Sequence, residues 1–467
     1  MTLRYQFRAL GESLSGVSAR TLTLALIAAW ALSGLFGHEP WQPDEASGLG
    51  LVYEMLDKGG WLVPKLAGQP FVAEPPLFFW TAALFARAFS GVLPLAEAAR
   101  FASTFYVGLA LLFTWLAADR RIAAPLLLAG SLGYLQPAHQ LLTDNALVAG
   151  IAIGLYGLRE ARGLALGIGA GVAFLSGGLL GPGLLGLTAL LLPALPAWRK
   201  SWRQWRAALA VFAPFALVWP WLLYRESPEL FHQWLWVDNI GRFSGAAELG
   251  GVDDRWLYAR ALPWFALPVW PLALWTILRR PGVPEVQLSF VAFAVAFGAL
   301  SAAASARTLY GLPMLVPLAV LASVELDSLP GWLAWPLEKL AVWGAGIAGI
   351  ALWGGWIALL AGWRPPLLDE LAPGFTPQVQ PYWLAAGLAV TVLWACALRL
   401  EPRLPVRWLA GVTLAWGLAM TLWLPLSART GYFFQRPAAV SSEARASTQE
   451  PPSARSSFFQ NVARVLR

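Results

Sequence analysis

The stretch His38-Glu-Pro-Trp41-Gln-Pro43-Asp44-Glu45-Ala-Ser-Gly48 follows a hydrophobic segment, Thr21 to Gly37. It runs on through Gly60-Trp61-Leu-Val-Pro64-Lys65 to Gly68-Gln-Pro70-Phe-Val-Ala-Glu74-Pro75-Pro76-Leu-Phe-Phe-Trp80. Two adjacent carboxylates, and a third about thirty residues later, thus stand directly beside apolar chain. Charge in that setting is costly and usually serves a function, so the stretch reads as an active-site rim on a membrane.

Composition agrees. The 467 residues are 58% hydrophobic and 13% charged, with 27 Trp and a mean hydropathy of +0.58. That is more apolar surface than a soluble domain of this size can hide, and the chain reads as a polytopic membrane protein. The net charge of +7 does not point to nucleic acid, because the basic residues are scattered between apolar stretches and form no patch. A single cysteine, Cys396, excludes a disulfide framework and a cysteine metal cluster. His38, His139 and His232 lack the paired spacing of a metal site and read as ordinary polar histidines.

Outward from the opening stretch, span length sets the organisation. Residues 1–19 form a basic, cytoplasmic N-terminus and 20–426 a transmembrane domain of about thirteen helices. Residues 427–467 form a polar, disordered tail. The spans after the first are Glu97 to Ala118, Ile122 to Gln136, Leu141 to Leu158, Gly163 to Leu175, Leu179 to Trp198 and Arg206 to Tyr224. Trp256 to Leu278, Val286 to Ala304, Leu309 to Val324, Trp335 to Trp363, Tyr382 to Leu400 and Val406 to Leu426 follow. The first periplasmic loop, 38–96, carries two amphipathic juxtamembrane helices, one starting at Asp44 with Leu49, Val52, Tyr53 and Leu56 on one face, the other Leu77 to Phe89. A second periplasmic loop covers 225–255. The positive-inside rule supports this arrangement independently: Arg120-Arg121, Arg159 to Arg162, Arg199 to Arg206, Arg279-Arg280 and Arg399 to Arg407 all fall on the side of the N-terminus.

Asp44 and Glu45 lead the candidate chemistry, since an exposed carboxylate can take a proton from an acceptor hydroxyl, hold a divalent ion or position a sugar hydroxyl. The competing reading makes Asp44 an N-cap and Glu45 a first-turn carboxylate facing the helix dipole. Asp144, in Thr143-Asp144-Asn145, is equally an N-cap or a cavity carboxylate. Arg307, away from the cytoplasmic side, and Arg242, in Asp238-Asn239-Ile-Gly-Arg242-Phe243, offer forks that suit a phosphate. Either could instead be a snorkelling arginine.

These residues, in this order, resemble a family: the polytopic glycosyltransferases of the GT-C superfamily that use polyprenyl-phosphate-linked sugars, in the branch of the lipid A aminoarabinose transferases and protein O-mannosyltransferases. Pro43-Asp44-Glu45-Ala46, Gly60-Trp61-Leu-Val-Pro64-Lys65, Gly68-Gln-Pro70-Phe71, Pro75-Pro76-Leu77, Thr143-Asp144, Arg242-Phe243 and Arg307 with Tyr310, Pro313 and Pro317 carry the likeness. The resemblance implies an all-α GT-C-type bundle and a catalytic Asp44 with Glu45 beside it. Arg307, Arg242 and Tyr310 would bind the donor phosphate, and Glu74, Asp144, Trp41 and Lys65 would line the cavity. It implies a polyprenyl (undecaprenyl) phosphate-linked sugar donor entering from the bilayer, a lipid A, glycan or protein acceptor, and inversion at the anomeric carbon. It fixes no cofactor and leaves a divalent metal open, with Glu74, Asp144 and Asp238 as candidate ligands. The chain departs from the aminoarabinose transferases where their Glu-Lys-Pro-Pro reads Ala73-Glu74-Pro75-Pro76, where their Glu-His reads Asp238-Asn239, and where their Leu-Thr-Lys-Gly reads Leu175-Ser176-Gly177-Gly178. A non-catalytic lipid-linked-sugar binding protein or flippase is the alternative.

Overall fold

A computed structural model describes residues 19–38, 40–41, 43–199, 201–246, 254–363, 379–401 and 403–423. The readings of residues 1–18 as a cytoplasmic N-terminus and of 427–467 as a tail lie outside the described residues. The fold is all-α apart from one two-stranded hairpin, Lys65–Leu66 paired antiparallel with Gln69–Pro70, and it is that of a polytopic membrane protein. The chain divides into two compact units, one formed by residues 39–329 and one by the segments before and after them.

In the larger unit the helices Asp144–Arg159 and Gly163–Gly177 pack along one another, with Leu95–Ala117 and Trp205–Glu226 against their outer faces. Small residues permit this approach. A Cβ on Gly169 would lie 2.4 Å from the backbone nitrogen of Gly154, one on Gly157 2.4 Å from that of Leu166, and one on Gly150 2.6 Å from that of Ala173. Association of helices in lipid depends on such close backbone packing, since lipid tails are as apolar as leucine.

By length and composition, five helices among the described residues can cross a membrane, or seven if each of two bent pairs is one span. Five shorter apolar helices of 10–17 residues accompany them. The expected count of about thirteen is therefore not reached on those criteria. Three expected spans are interrupted. Ile122 to Gln136 is split into Ala123–Ala129 and Leu132–Leu135 at Gly130-Ser131, and Leu132–His139 turns by 119° into Asp144–Arg159. Trp256 to Leu278 bends by 100° between Phe265 and Val269, and Leu309 to Val324 begins as a 3-10 segment, Thr308–Met314. Pro268 and Pro313 lie at the last two breaks, where the missing amide hydrogen removes a helical hydrogen bond. Hydropathy alone does not register these turns.

The segment expected to be the first outward loop is pinned to the bundle. The Asp44–Lys58 helix buries Leu49 and Val52 of the expected face, leaves Tyr53 and Leu56 half-buried, and buries Gly48, Leu51 and Met55 as well. Gly59 and Gly60, both at positive φ, end it, and the hairpin turn at Gly68 (φ 80) donates its amide to Glu54 Oε1 at 3.0 Å. Val63 and Val72 enter a buried cluster with Phe174, Trp219 and Trp234. The Trp219 indole donates to the Leu62 carbonyl at 3.1 Å and the Trp80 indole to that of Trp61 at 2.6 Å. Leu77–Phe89 is a helix of 13 residues, short of the roughly 20 that a span requires.

In the smaller unit, Gly331–Leu360, Pro381–Leu400 and Leu404–Leu418 surround a core of Trp356, Val390, Leu414, Leu418 and Leu422. The indole of Trp416 donates to Ser33 O at 2.7 Å, fastening the Ala19–Leu32 segment to it.

Replacing Gly169 by Leu should prevent the central helix pair from closing, seen as loss of the folded species on size-exclusion chromatography or as a large drop in melting temperature in detergent. Gly186→Leu, where nothing lies within 4 Å of the added Cβ, should melt like the parent.

Candidate active site

Asp44 and Glu45 are consecutive residues in the first turn of one helix, and successive side chains on a helix project about 100° apart. They consequently part. Glu45 points into the protein: its Oε1 accepts from Arg100 Nε at 2.7 Å and from the Leu141 amide at 3.1 Å, and its Oε2 accepts from the Trp41 amide at 2.8 Å. Both charged side chains of that pair are only 1% exposed. Asp44 faces outward, where its Oδ2 accepts from Arg307 Nη2 at 2.9 Å, and both side chains keep about two fifths of their surface open. Pro43 holds the N-cap position, with no side-chain capping bond. The capping role is therefore not the one Asp44 plays.

Beside this pair lies a cavity of about 500 Å³. Its polar end carries Glu74, Thr143, Asp144, Asp238, Arg242 and Tyr310. Leu147, Leu180, Leu184, Leu187, Leu300 and Ala303 line the rest. Gly183, on the Leu180–Leu191 helix, leaves open space along the apolar part, and Leu179 and Leu187 on the same wall are exposed at 39% and 41%. Charge and grease are thus separated along one hollow.

The two arginines are linked through a single phenol. Arg242 Nη1 donates to the Tyr310 hydroxyl at 3.3 Å, and the Arg307 guanidinium lies over the Tyr310 ring, 5.8 Å from its centre. The Tyr258 hydroxyl donates to the Arg307 carbonyl at 3.1 Å and steadies that turn. Glu74 faces them from the first loop, accepting from Thr143 Oγ1 at 2.9 Å. Burial pushes the Glu74 carboxyl above the usual range, and the nearby Asp44 charge adds to that. The Thr143 bond and the charges of Arg242 and Arg307 oppose it. Asp238 is also raised by burial, against the pull of Arg242.

Asp238, Asn239 and Arg242 come from the region expected to be the second outward loop. It contains a π-helical stretch, Gln233–Gly241, a rare conformation found mostly at functional sites. Asn239 ties it down, its Oδ1 accepting from the Leu179 amide at 2.9 Å and its Nδ2 donating to Trp234 O at 2.8 Å.

The structure accordingly brings Glu74, Asp144, Asp238, Arg242 and Tyr310 to the wall of one hollow, and sets the Asp44–Arg307 pair off the wall but near enough for its charges to act on Glu74 and Asp144. Three expected placements are corrected. Glu45 is sealed in an ion pair and does not reach the hollow, because an inward carboxylate in the first turn needs a buried counter-charge. Trp41 gives its amide to Glu45, and Lys65 is an exposed residue of the hairpin; neither is among the residues that line the cavity. Among the described residues no three His, Cys, Asp or Glu groups come together to hold a metal ion. His38 and His139 donate to carbonyls four residues back in the chain, Gly34 O and Leu135 O. Arg100 was overlooked, although an arginine within an apolar helix was signal enough. Thr143 and Asn239 matter through hydrogen bonds between segments far apart in the chain, which spacing does not reveal.

No family model matches the chain. In fold it resembles the crystal structure of ArnT from Cupriavidus metallidurans bound to undecaprenyl phosphate, with a TM-score of 0.66 at 20% identity over 87% of this chain and 78% of that one. By fold, then, it is a polytopic membrane protein with the architecture of that structure. Its sequence relatives include the undecaprenyl phosphate-alpha-4-amino-4-deoxy-L-arabinose arabinosyl transferases of Pseudomonas savastanoi pv. phaseolicola, 30% identical over 327 residues, and of Sodalis glossinidius, 29% identical over 320. Those matches cover 63% and 62% of this chain and 59% and 55% of the relatives, so the chain matches somewhat more than half their length. The chain is thus similar in sequence to undecaprenyl phosphate-dependent arabinosyl transferases over part of their length.

Removing one member of a buried pair strands the other charge, at a cost of about 3–5 kcal/mol. Arg100→Ala should therefore lower the melting temperature sharply, while Glu45→Leu with Arg100→Met should recover most of the loss. The folded protein holds the Glu74 proton more tightly than the unfolded chain does. Its contribution to stability is present at low pH and is lost as pH rises from the ordinary carboxylate range through the raised value. Glu74→Gln should accordingly gain in melting temperature relative to the parent as pH rises, and converge on it towards acid pH.

Proposed function

We propose that the chain is a multi-pass glycosyltransferase of the bacterial inner membrane that moves a sugar from an undecaprenyl phosphate carrier to a lipid, glycan or protein acceptor at the periplasmic face. The observation that carries this reading is the division of the cavity. A polar end, with Arg242 on its wall and the Arg307 guanidinium beside it over the Tyr310 ring, opens into an apolar trough along Leu180, Gly183, Leu184 and Leu187, which suits an amphipathic substrate with a charged head and a long hydrocarbon tail. The relatives are named for the use of such a donor, and the structure of like fold is described as binding undecaprenyl phosphate.

In this reading the donor phosphate lies between Arg242 and Arg307, the two guanidinium groups that Tyr310 links. Asp44 takes the proton of the acceptor hydroxyl, whose oxygen attacks the anomeric carbon. The bond from that carbon to the phosphate oxygen breaks, its electron pair leaves with the phosphate, and configuration inverts. The two guanidinium groups offset the charge that gathers on the leaving phosphate, and donors placed where charge develops lower the barrier most. Glu45 holds Asp44 in position from behind.

Loss of a general base costs about 10²–10⁴ in rate. Asp44→Asn should lower release of undecaprenyl phosphate from a labelled donor by at least that lower figure without lowering the melting temperature; full turnover in this variant would remove Asp44 from the mechanism. A purified wild type that binds the donor but releases no carrier phosphate in the presence of lipid A, glycan and peptide acceptors would favour the non-catalytic carrier. Gly183→Leu should fill the trough and weaken undecaprenyl phosphate binding several-fold without destabilising the fold.

A further inference from the structure

One side chain, Asn239, fastens the segment that carries Arg242 to the turn that follows the Gly163–Gly177 helix. Its Oδ1 accepts from the Leu179 amide at 2.9 Å, and its Nδ2 donates to Trp234 O at 2.8 Å. Because one partner only donates and the other only accepts, the orientation of the Asn239 amide is fixed. The approach to the turn is close. A Cβ on Gly178 would lie 2.1 Å from Asn239 Oδ1, and Gly178 stands at φ 65, ψ −141, a combination that disfavours any side chain. Gly178, at the end of Leu175-Ser-Gly-Gly178, is therefore the seat that Asn239 needs.

The same amide bears on how the chain winds between Trp234 and Arg242. Trp234 is held at one end, buried edge-on against Phe174 and Trp219 with ring centres 5.9 and 5.1 Å away. From there the π-helical stretch Gln233–Gly241 leads to Arg242, whose own amide donates to Val237 O, five residues back. A π turn closes over one residue more than an α turn, and an α-helix advances about 100° per residue. Returning one turn to α winding would thus swing Arg242 by about 100° relative to Trp234, off the Tyr310 hydroxyl that its Nη1 reaches at 3.3 Å. Asn239 opposes that return, since it bonds the carbonyl five residues before it and a separate segment at once. Immediately beyond Arg242, Phe243 O accepts from the Ala304 amide at 3.0 Å and fixes the other side of the turn.

We propose that Asn239, seated on Gly178, is a positioning residue for the donor phosphate: it keeps the Gln233–Gly241 stretch in π winding and so aims the Arg242 guanidinium at the Tyr310 end of the hollow. The proposal rests on the transferase reading, in which Arg242 and Arg307 hold the phosphate, and adds the device that directs one of them. Asn239 acts only through Arg242 and touches no reacting atom.

The test uses the full chain in lipid nanodiscs, with Asn239→Ala, Arg242→Gln and the double variant. Affinity is measured for undecaprenyl phosphate and for undecaprenol, which has the same tail and no phosphate. Arg242→Gln removes a charged donor and should weaken undecaprenyl phosphate about tenfold or more. Asn239→Ala should weaken it several-fold and leave undecaprenol unchanged. The double variant should bind no more weakly than Arg242→Gln alone, because a residue that works through another contributes nothing once that other is gone. Three results overturn the positioning role while Arg242→Gln keeps the phosphate assignment standing. They are a double variant weakened by the product of the two single losses, equal weakening of undecaprenyl phosphate and undecaprenol by Asn239→Ala, and unchanged affinity in that variant. If Arg242→Gln itself binds undecaprenyl phosphate as the parent does, the phosphate assignment fails, and the positioning role falls with it.

Discussion

Within the larger unit, the arrangement of the site depends on one buried ion pair. Glu45 and Arg100 are almost entirely withdrawn from water, 55 residues apart in the chain and 2.7 Å apart in space. Neither could remain there charged without the other. The carboxylate also collects the amides of Trp41 and Leu141, so one side chain joins the entry to the first-loop helix, the Leu95–Ala117 helix and the turn before Asp144. Asp44 is the next residue on that helix and must project elsewhere. Its outward position, within reach of an arginine 263 residues away, is a consequence of where Glu45 is anchored.

Charge in the hollow is distributed with the same economy. Four carboxylates, Asp44, Glu74, Asp144 and Asp238, stand near two guanidinium groups. The excess of acid makes the Arg242–Tyr310–Arg307 side the place for an anion, and burial pushes Glu74 towards its neutral form. Glu74 stands where the resemblance would place a lysine, so the proposed reading assigns phosphate recognition to the two arginines. A π-helical turn and a network of amide bonds keep the other polar groups fixed at the wall.

Much of this was legible in the sequence. Hydrophobicity required a membrane bundle, and the residues that carried the family resemblance, from Asp44 through Arg242 to Tyr310, converge on the hollow. What escaped was whatever depends on direction within an element. Adjacent carboxylates look alike in a string, yet one is an anchor and the other faces the open site. Window hydropathy passes over bends such as the one before Asp144 and the one around Pro268, because the side chains on both sides of a turn remain apolar.

A structure of the full chain in a lipid disc with undecaprenyl phosphate bound tests the central claim most directly. The account predicts the phosphate within hydrogen-bonding distance of both Arg242 and Arg307, and the first isoprene units lying past Gly183 along the Leu180–Leu191 helix. A phosphate seated against Glu74 and Asp144, or a carrier lodged outside this hollow, would contradict it.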